Sequence, residues 1–242
     1  MFYKMSQPKA PKISIIIVTY NAVKTLQAGL DSIYAQKYPN IEVVVIDGGS
    51  TDGTLELLKD NTSKLAYWKS EPDEGIYDAM NKGLNHISGQ WVYFMGADDE
   101  LRDEFSEMAL ELKRPGALYY ANVMSNGKKK SGFVNEYYQA KAGVFHQAII
   151  YSASIFKTYR YDTRYSISAD YELNMRCWRD QSIAFIYRDY VIANFNHNGA
   201  SSGGEDELFA SNKSNLIRQN FGLKIWLRYM FRLFKERLRG TK

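Results

Sequence analysis

Residues 13–18 (ISIIIV) and 43–46 (VVVI) are runs of apolar, β-branched side chains broken only by Ser14. A strand with one wet face alternates with period two; these runs do not, so both are expected to be strands covered on both faces. Between them, residues 23–36 carry Leu26, Leu30, Ile33 and Tyr34 at helical spacing, which makes the opening pattern strand, helix, strand. A helix over 54–59 follows, with Ser50 or Asp52 placed to cap it. A strand near 65–68, a helix over 76–86, a strand over 91–95 and a helix over 101–113 continue the rhythm. This alternation predicts an α/β fold on a doubly wound, mostly parallel, Rossmann-like sheet.

Beyond Pro115 and Gly116 the rhythm changes. Residues 118–123 and 131–134 flank Ser125, Asn126, Gly127 and the basic run 128–130, the pattern of a hairpin. A helix over 168–179 and a strand over 183–191 come next, and 194–207, rich in Asn, Gly and Ser, reads as a loop. The chain divides into a polar N-terminal tail (1–12), one domain over 13–220 with halves 13–114 and 115–220, and a C-terminal helix over 221–242.

With 242 residues, 45% of them hydrophobic and 14% aromatic, the chain can bury one sizeable core, and two independent domains would be cramped. No apolar run approaches the roughly 20 residues that cross a bilayer, so neither a signal peptide nor a transmembrane helix is expected. Cys177 is the single cysteine and lacks neighbours at zinc-ligand spacing, which fits a core role and a reducing cytoplasm.

The net charge of +4 is unevenly placed: in residues 221–242 seven Lys or Arg face Glu236 alone, giving +6 there and leaving −2 for the body. A mildly acidic body is not one that wraps nucleic acid, whose binding needs many phosphate contacts. At 100° per residue, Lys224, Arg228, Arg232, Lys235, Arg239 and Lys242 fall within an arc of about 80°. Leu223, Trp226, Leu227, Met230, Leu233, Phe234 and Leu238 lie opposite. That composition suits a helix in a membrane interface; a helix docked on the protein's own core is the alternative.

Ligands of open parallel sheets bind beyond the carboxyl ends of the strands. Three polar clusters are expected there: Thr19, Tyr20 and Asn21; Asp47 to Gly53; and Gly96 to Asp99. The glycines match neither G-x-G-x-x-G nor a Walker A loop, which disfavours dinucleotide oxidoreduction and P-loop hydrolysis. Adjacent carboxylates repel unless a cation or donors compensate, so Asp98 and Asp99 suit Mg²⁺ or Mn²⁺ bridging a diphosphate. The other reading of Asp99 is a cap for the helix expected from Leu101.

The succession ISIIIVTYN, VVVIDGGSTDGT and SEPDEGIYDAMNKGLNHISGQWVYFMGADD resembles the family-2 glycosyltransferases of the GT-A fold. Its GIYDAMNKG stretch is similar to the branch that builds bacterial O-antigen and capsule repeat units. The resemblance spans residues 12–99 and continues more weakly to about residue 200. It implies a GT-A sheet with an acceptor-side extension, a UDP-sugar donor, and Mn²⁺ or Mg²⁺. It places Thr19, Tyr20 and Asp47 on the nucleoside, Asp98 near ribose and diphosphate, and Asp99 as principal metal ligand. Two positions depart from the pattern: Gly48 stands where many relatives have a second Asp, and Gly96 where D-x-D begins.

On the helix expected at 76–86, Asp78, Asn81 and Lys82 share one face. The resemblance sets that face beside the donor, with Lys82 supplying charge to the diphosphate. In the second half, Ser168-Ala169-Asp170 resembles the family's x-E-D element, which makes Asp170 the candidate general base for an inverting displacement. His146 and Gln147 resemble a recurrent pair that touches acceptor or diphosphate, and His197 a C-terminal metal-binding His.

These expectations combine into metal-dependent, inverting transfer of a hexose or N-acetylhexosamine. The acceptor would be a hydroxyl of a polyprenyl diphosphate-linked saccharide at the cytoplasmic face of the plasma membrane, with the basic helix holding the enzyme there. A sugar nucleotidyltransferase would carry a Gly/Arg-rich phosphate loop near the first strand, and TYNAVKT is not one. A catalytically degenerate nucleotide-sugar-binding scaffold is the non-enzyme alternative.

Overall fold

The computed structural model describes residues 10–196 and 206–240. Strands β1 (Ile13–Thr19), β2 (Ile41–Asp47), β3 (Tyr67–Ser70) and β4 (Trp91–Gly96) are linked through helices α1 (Leu26–Tyr34), α2 (Thr54–Asn61) and α3 (Ile76–Gly83). A short strand β5 (Glu100–Leu101) and helix α4 (Glu104–Ala109) follow. Next come the hairpin β6 (Leu118–Ser125) and β7 (Lys128–Ser131), helix α5 (Glu136–Ala142), strand β8 (Ile149–Ser152), helix α6 (Ala169–Arg179), strand β9 (Phe185–Asn194) and helix α7 (Glu207–Leu238).

The strands form one sheet in the order β3-β2-β1-β4-β8-β6-β9-β5, with β7 beside β6. The β1–β2, β1–β4, β2–β3 and β6–β9 pairs are parallel, whereas β8 runs antiparallel to both β4 and β6. The apolar runs lie in this sheet as their patterning requires. Odd positions Ile13, Ile15 and Ile17 face one buried cluster with Leu26 and Leu30, and Ile16 faces the other with Met80 and Phe94. Both clusters extend into residues beyond 114, so the two halves share one core.

Several boundaries differ from expectation. The helix expected over 101–113 is shortened to α4 at Glu104–Ala109, its first expected residue going to β5 because Glu100 and Leu101 pair with Asn194 and Ala193 at the far end of the chain. The strand expected at 65–68 sits at Tyr67–Ser70. Ser50 caps nothing; Gly53, at φ 104°, occupies the cap position of α2, and Asp52 accepts from the Thr54 amide at 3.1 Å. Within the loop expected over 194–207, β9 extends to Asn194 and α7 begins at Glu207, while 197–205 lie outside the described residues, as do residues 1–9 of the N-terminal tail.

The C-terminal helix starts earlier than 221 and bends at Gly222, where φ is 78°. Phe209, Ile217, Phe221, Ile225 and Tyr229 are buried in the main cluster, with Trp226 and Leu233 packed against it. The Trp226 indole donates to Ser214 Oγ at 3.0 Å. One face of the helix therefore docks on the core, which removes Trp226 and Leu233 from the surface expected to meet lipid. Leu223, Leu227, Met230, Phe231, Phe234 and Leu238 remain exposed beside the basic sector. No helix among the described residues is long and apolar enough to cross a membrane.

Candidate active site

The strand order reverses between β1 and β4, the place where open sheets of this kind open a crevice. Register brings Thr19, Asp47 and Ser70 into line there, with Gly96 opposite Val18. The loops are locked by short polar bonds. Asn21, at φ 51°, takes Ser50 Oγ on its amide at 2.7 Å and offers Oδ1 to the Thr51 amide at 2.9 Å. Asp47 is fully buried, and its carboxylate accepts from Gly49 N, Ser50 N, Ser50 Oγ and Ser70 Oγ. Asp47 and Asn21 thus shape the rim of the crevice. Thr19 Oγ1 is buried without a partner among the described residues, and Tyr20 projects with 65% of its surface free.

Helix α3 holds the loop before it. Asp78 accepts from Glu74 N at 3.1 Å and pairs with Lys82 at 2.9 Å, while Lys82 also donates to the Pro72 carbonyl at 3.3 Å. Asn81 is bonded both ways to the Tyr161 backbone, at 2.9 and 3.1 Å. On this face Asp78 and Lys82 bond the 71–74 loop and Asn81 the approach to α6, with the Asp78 and Lys82 side chains still 24% and 30% exposed.

Asp98 and Asp99 differ sharply. Asp99 is 1% exposed; Oδ1 accepts from Asn196 N at 3.0 Å and Oδ2 from Gly96 N at 3.1 Å, and the Gln147 side chain donates to it as well. Burial outweighs these donors and pushes its carboxyl up to about 6. Asp98 Oδ2 is buried with no donor among the described residues, and burial pushes that carboxyl upward too. Each Asp99 oxygen thus already accepts an N–H, whereas Asp98 Oδ2 has no donor among the described residues. A Cβ on Gly96 would lie 2.8 Å from Asp99 Oδ2 and 3.0 Å from Asp98 Oδ1, so the glycine makes room for both carboxylates.

Asp170, in the first turn of α6, accepts from the Tyr77 hydroxyl at 2.7 Å. It makes no capping bond, and neither does Ser168; Asp206 instead accepts from the Ile167 and Ser168 amides. Burial, then the Asp170 carboxylate, pushes the Tyr77 phenol well above its ordinary value, so Tyr77 stays the donor. The other nearby carboxylates are paired, Glu172 with Arg176 and Asp162 with Arg164. His146 is buried, stacked on Phe94 and bonded to Tyr161 at 2.9 Å, and burial lowers its pKa although Asp170 opposes this. His146 keeps 9% of its surface exposed within this aromatic setting. The turn His146–Ala148 nevertheless joins the two carboxylate groups, with His146 near Asp170 and Gln147 on Asp99. His197 lies outside the described residues.

Sequence reasoning missed Tyr77, Tyr161, Asn196 and Asp73. Tyr77 stood inside GIYDAMNKG, where its apolar ring reads as core; the other three are joined to the site by contacts across some 70 to 100 residues or by loop geometry.

The profile described as Glycosyl transferase family 2 matches residues 14–195. The chain is 35% identical over 204 residues to the PGL/p-HBAD biosynthesis glycosyltransferase of Mycobacterium bovis (strain BCG / Pasteur 1173P2), covering 80% of each. Its fold resembles the crystal structure of S. aureus TarS 1–349 in complex with UDP-GlcNAc, at TM-score 0.68 and 19% identity, covering 86% of this chain and 67% of that one. It spans 43% of the longer TarS chain. It also resembles the mannosyltransferase PcManGT from Pyrobaculum calidifontis in complex with GDP-Man and Mn²⁺, at TM-score 0.61 and 19% identity, covering 87% and 63%.

Proposed function

Since the chain belongs to glycosyl transferase family 2 and has the GT-A fold, we propose that this glycosyltransferase acts with inversion on a UDP-sugar. It passes a hexose or N-acetylhexosamine to a hydroxyl of a lipid-linked saccharide in O-antigen, capsule or exopolysaccharide assembly. The observation that carries the reading is that one turn links two carboxylate groups: Gln147 bonds Asp99, beside Asp98 at the β4 end, and the neighbouring His146 feels the charge of Asp170 on α6. An inverting displacement needs a leaving group neutralised on one side and a proton acceptor on the other. The UDP-GlcNAc complex of TarS supports a uridine donor.

The donor set suits Mn²⁺ or Mg²⁺ in one respect: Asp98 Oδ2 is a buried oxygen with no donor among the described residues. Among the described residues no cluster of three His, Cys, Asp or Glu stands ready as a cage, which fits an ion that takes its other ligands from diphosphate and water. Asp98 would hold it, Asp99 would fix the loop, and the ion would neutralise charge on the leaving diphosphate. Thr19 and Tyr20 flank the nucleoside. Tyr77 orients Asp170, which takes the proton from the acceptor hydroxyl.

The exposed apolar stripe of α7, next to Lys224, Arg228, Lys235 and Arg239, supports peripheral attachment at an anionic membrane face, where a polyprenyl-linked acceptor resides. A degenerate scaffold is less favoured, because the space left by Gly96 is filled by acidic side chains. Nucleotide release from a UDP-sugar panel, with and without Mn²⁺, is the test. The expected outcome is acceptor-dependent UDP release that Asp170→Asn abolishes while UDP binding stays within a few-fold; binding without release in the wild type would favour the scaffold.

A further inference from the structure

Gly48 closes the second strand where a carboxylate is absent, and the structure puts one back from elsewhere. A Cβ built on Gly48 would lie 2.7 Å from Asp73 Oδ2 and 3.3 Å from its Cγ, and 3.4 Å from Cδ2 of Tyr20. The Asp73 carboxylate therefore fills the volume that a side chain at position 48 would occupy, beside the exposed ring of Tyr20. The Asp73 loop is held in place: Gly75 N donates to Asp73 Oδ1 at 2.8 Å, Glu74 N donates to Asp78, and Lys82 donates to the Pro72 carbonyl. With Oδ1 so engaged, Oδ2 has no donor among the described residues.

An acceptor-only oxygen at the edge of a projecting aromatic ring is what a stacked base with a ring N–H requires. Resting on the uridine-donor reading above, we infer that Asp73 reads the donor base, accepting the N3–H of uracil while the base lies against Tyr20. Cytosine presents a lone pair at N3, so the same carboxylate repels it. UDP and CDP share ribose and phosphates, which makes their affinity ratio a readout of this one contact.

Titration calorimetry of UDP and CDP on the full chain tests it through three variants. Wild type is expected to prefer UDP, and Asp73→Ala to lose roughly ten- to a hundredfold in UDP affinity with the ratio falling toward one. In Asp73→Asn the Gly75 amide keeps the side-chain oxygen, so the NH₂ faces the base and the preference moves toward CDP. Gly48→Asp in the Asp73→Ala background returns a carboxylate to the same volume and restores the UDP preference. An unchanged UDP/CDP ratio in Asp73→Asn and Asp73→Ala overturns the inference and leaves the donor reading standing. A wild type that binds no uridine nucleotide overturns both.

Discussion

Replacing Asp99 and Asp98 separately by Asn separates the two carboxylates by what each already bonds. Asp99 accepts from Asn196 N and Gly96 N, one on each oxygen, at 1% exposure. An amide there can keep one acceptor but turns an NH₂ toward the other N–H. Leaving a buried donor facing a donor costs about 1–3 kcal/mol. For a chain of this size each kcal/mol lowers the melting temperature by roughly 2–4 °C, so Asp99→Asn is expected to melt roughly 2–12 °C lower. Asp98→Asn touches an oxygen with no donor among the described residues, so its melting temperature should hold within a degree or two, roughly the effect of ±0.5 kcal/mol. What it should lose is the Mn²⁺-dependent gain in UDP affinity. Thermal denaturation by circular dichroism and UDP titration with and without Mn²⁺ read both effects. An Asp99→Asn variant that melts like wild type and loses the Mn²⁺ effect, beside a normal Asp98→Asn, would refute the reasoning and return the metal to Asp99.

Tyr77→Phe removes the hydroxyl that orients Asp170 and should lower kcat at least tenfold with UDP affinity unchanged; a parallel fall in both would make the role structural. Changing Leu227, Phe231, Phe234 and Leu238 to Ser should abolish sedimentation with anionic vesicles without lowering the melting temperature, because these side chains are exposed. Neutralising Lys224, Lys235 and Arg239 should weaken vesicle binding by about 1 kcal/mol per charge, an effect that salt should mimic. Truncation at Gly222 should destabilise the whole domain, since Ile225 and Tyr229 are core residues. His146 has a folded pKa below its ordinary 6.5, so the unfolded chain binds more protons in mild acid. Its contribution is present above pH 6.5 and lost as pH falls toward the lower folded value, and His146→Gln should flatten the fall in stability over that window, measured by urea unfolding.

The parallel half of the fold was legible because its strands are short apolar runs and its helices carry period-3.6 stripes, both local signals. Strand β5 was not, because Glu100 and Leu101 become a strand only through partners at Asn194 and Ala193. The three site clusters were legible from their place after strands, yet the work of each residue depended on three-dimensional bonds. Asp47 is expected from the sequence to hold the nucleoside, and the fold adds four hydrogen bonds to its carboxylate that the sequence does not show. Asp73, in a loop with no periodicity, gains its place only because Gly48 leaves space for it. A helical projection separates the basic arc of α7 from its apolar arc, but it cannot divide the apolar arc between core and solvent; packing of Ile225, Tyr229 and Trp226 does that.

The central claim is a single inverting displacement at a UDP-sugar, and the anomeric configuration of the first product tests it most directly. Offered an α-linked UDP-sugar, Mn²⁺ and a prenyl diphosphate-linked saccharide, the wild type is expected to yield a β-linked product by NMR, and Asp170→Asn none. An α-linked product, or UDP released with no new glycosidic bond, would contradict the account.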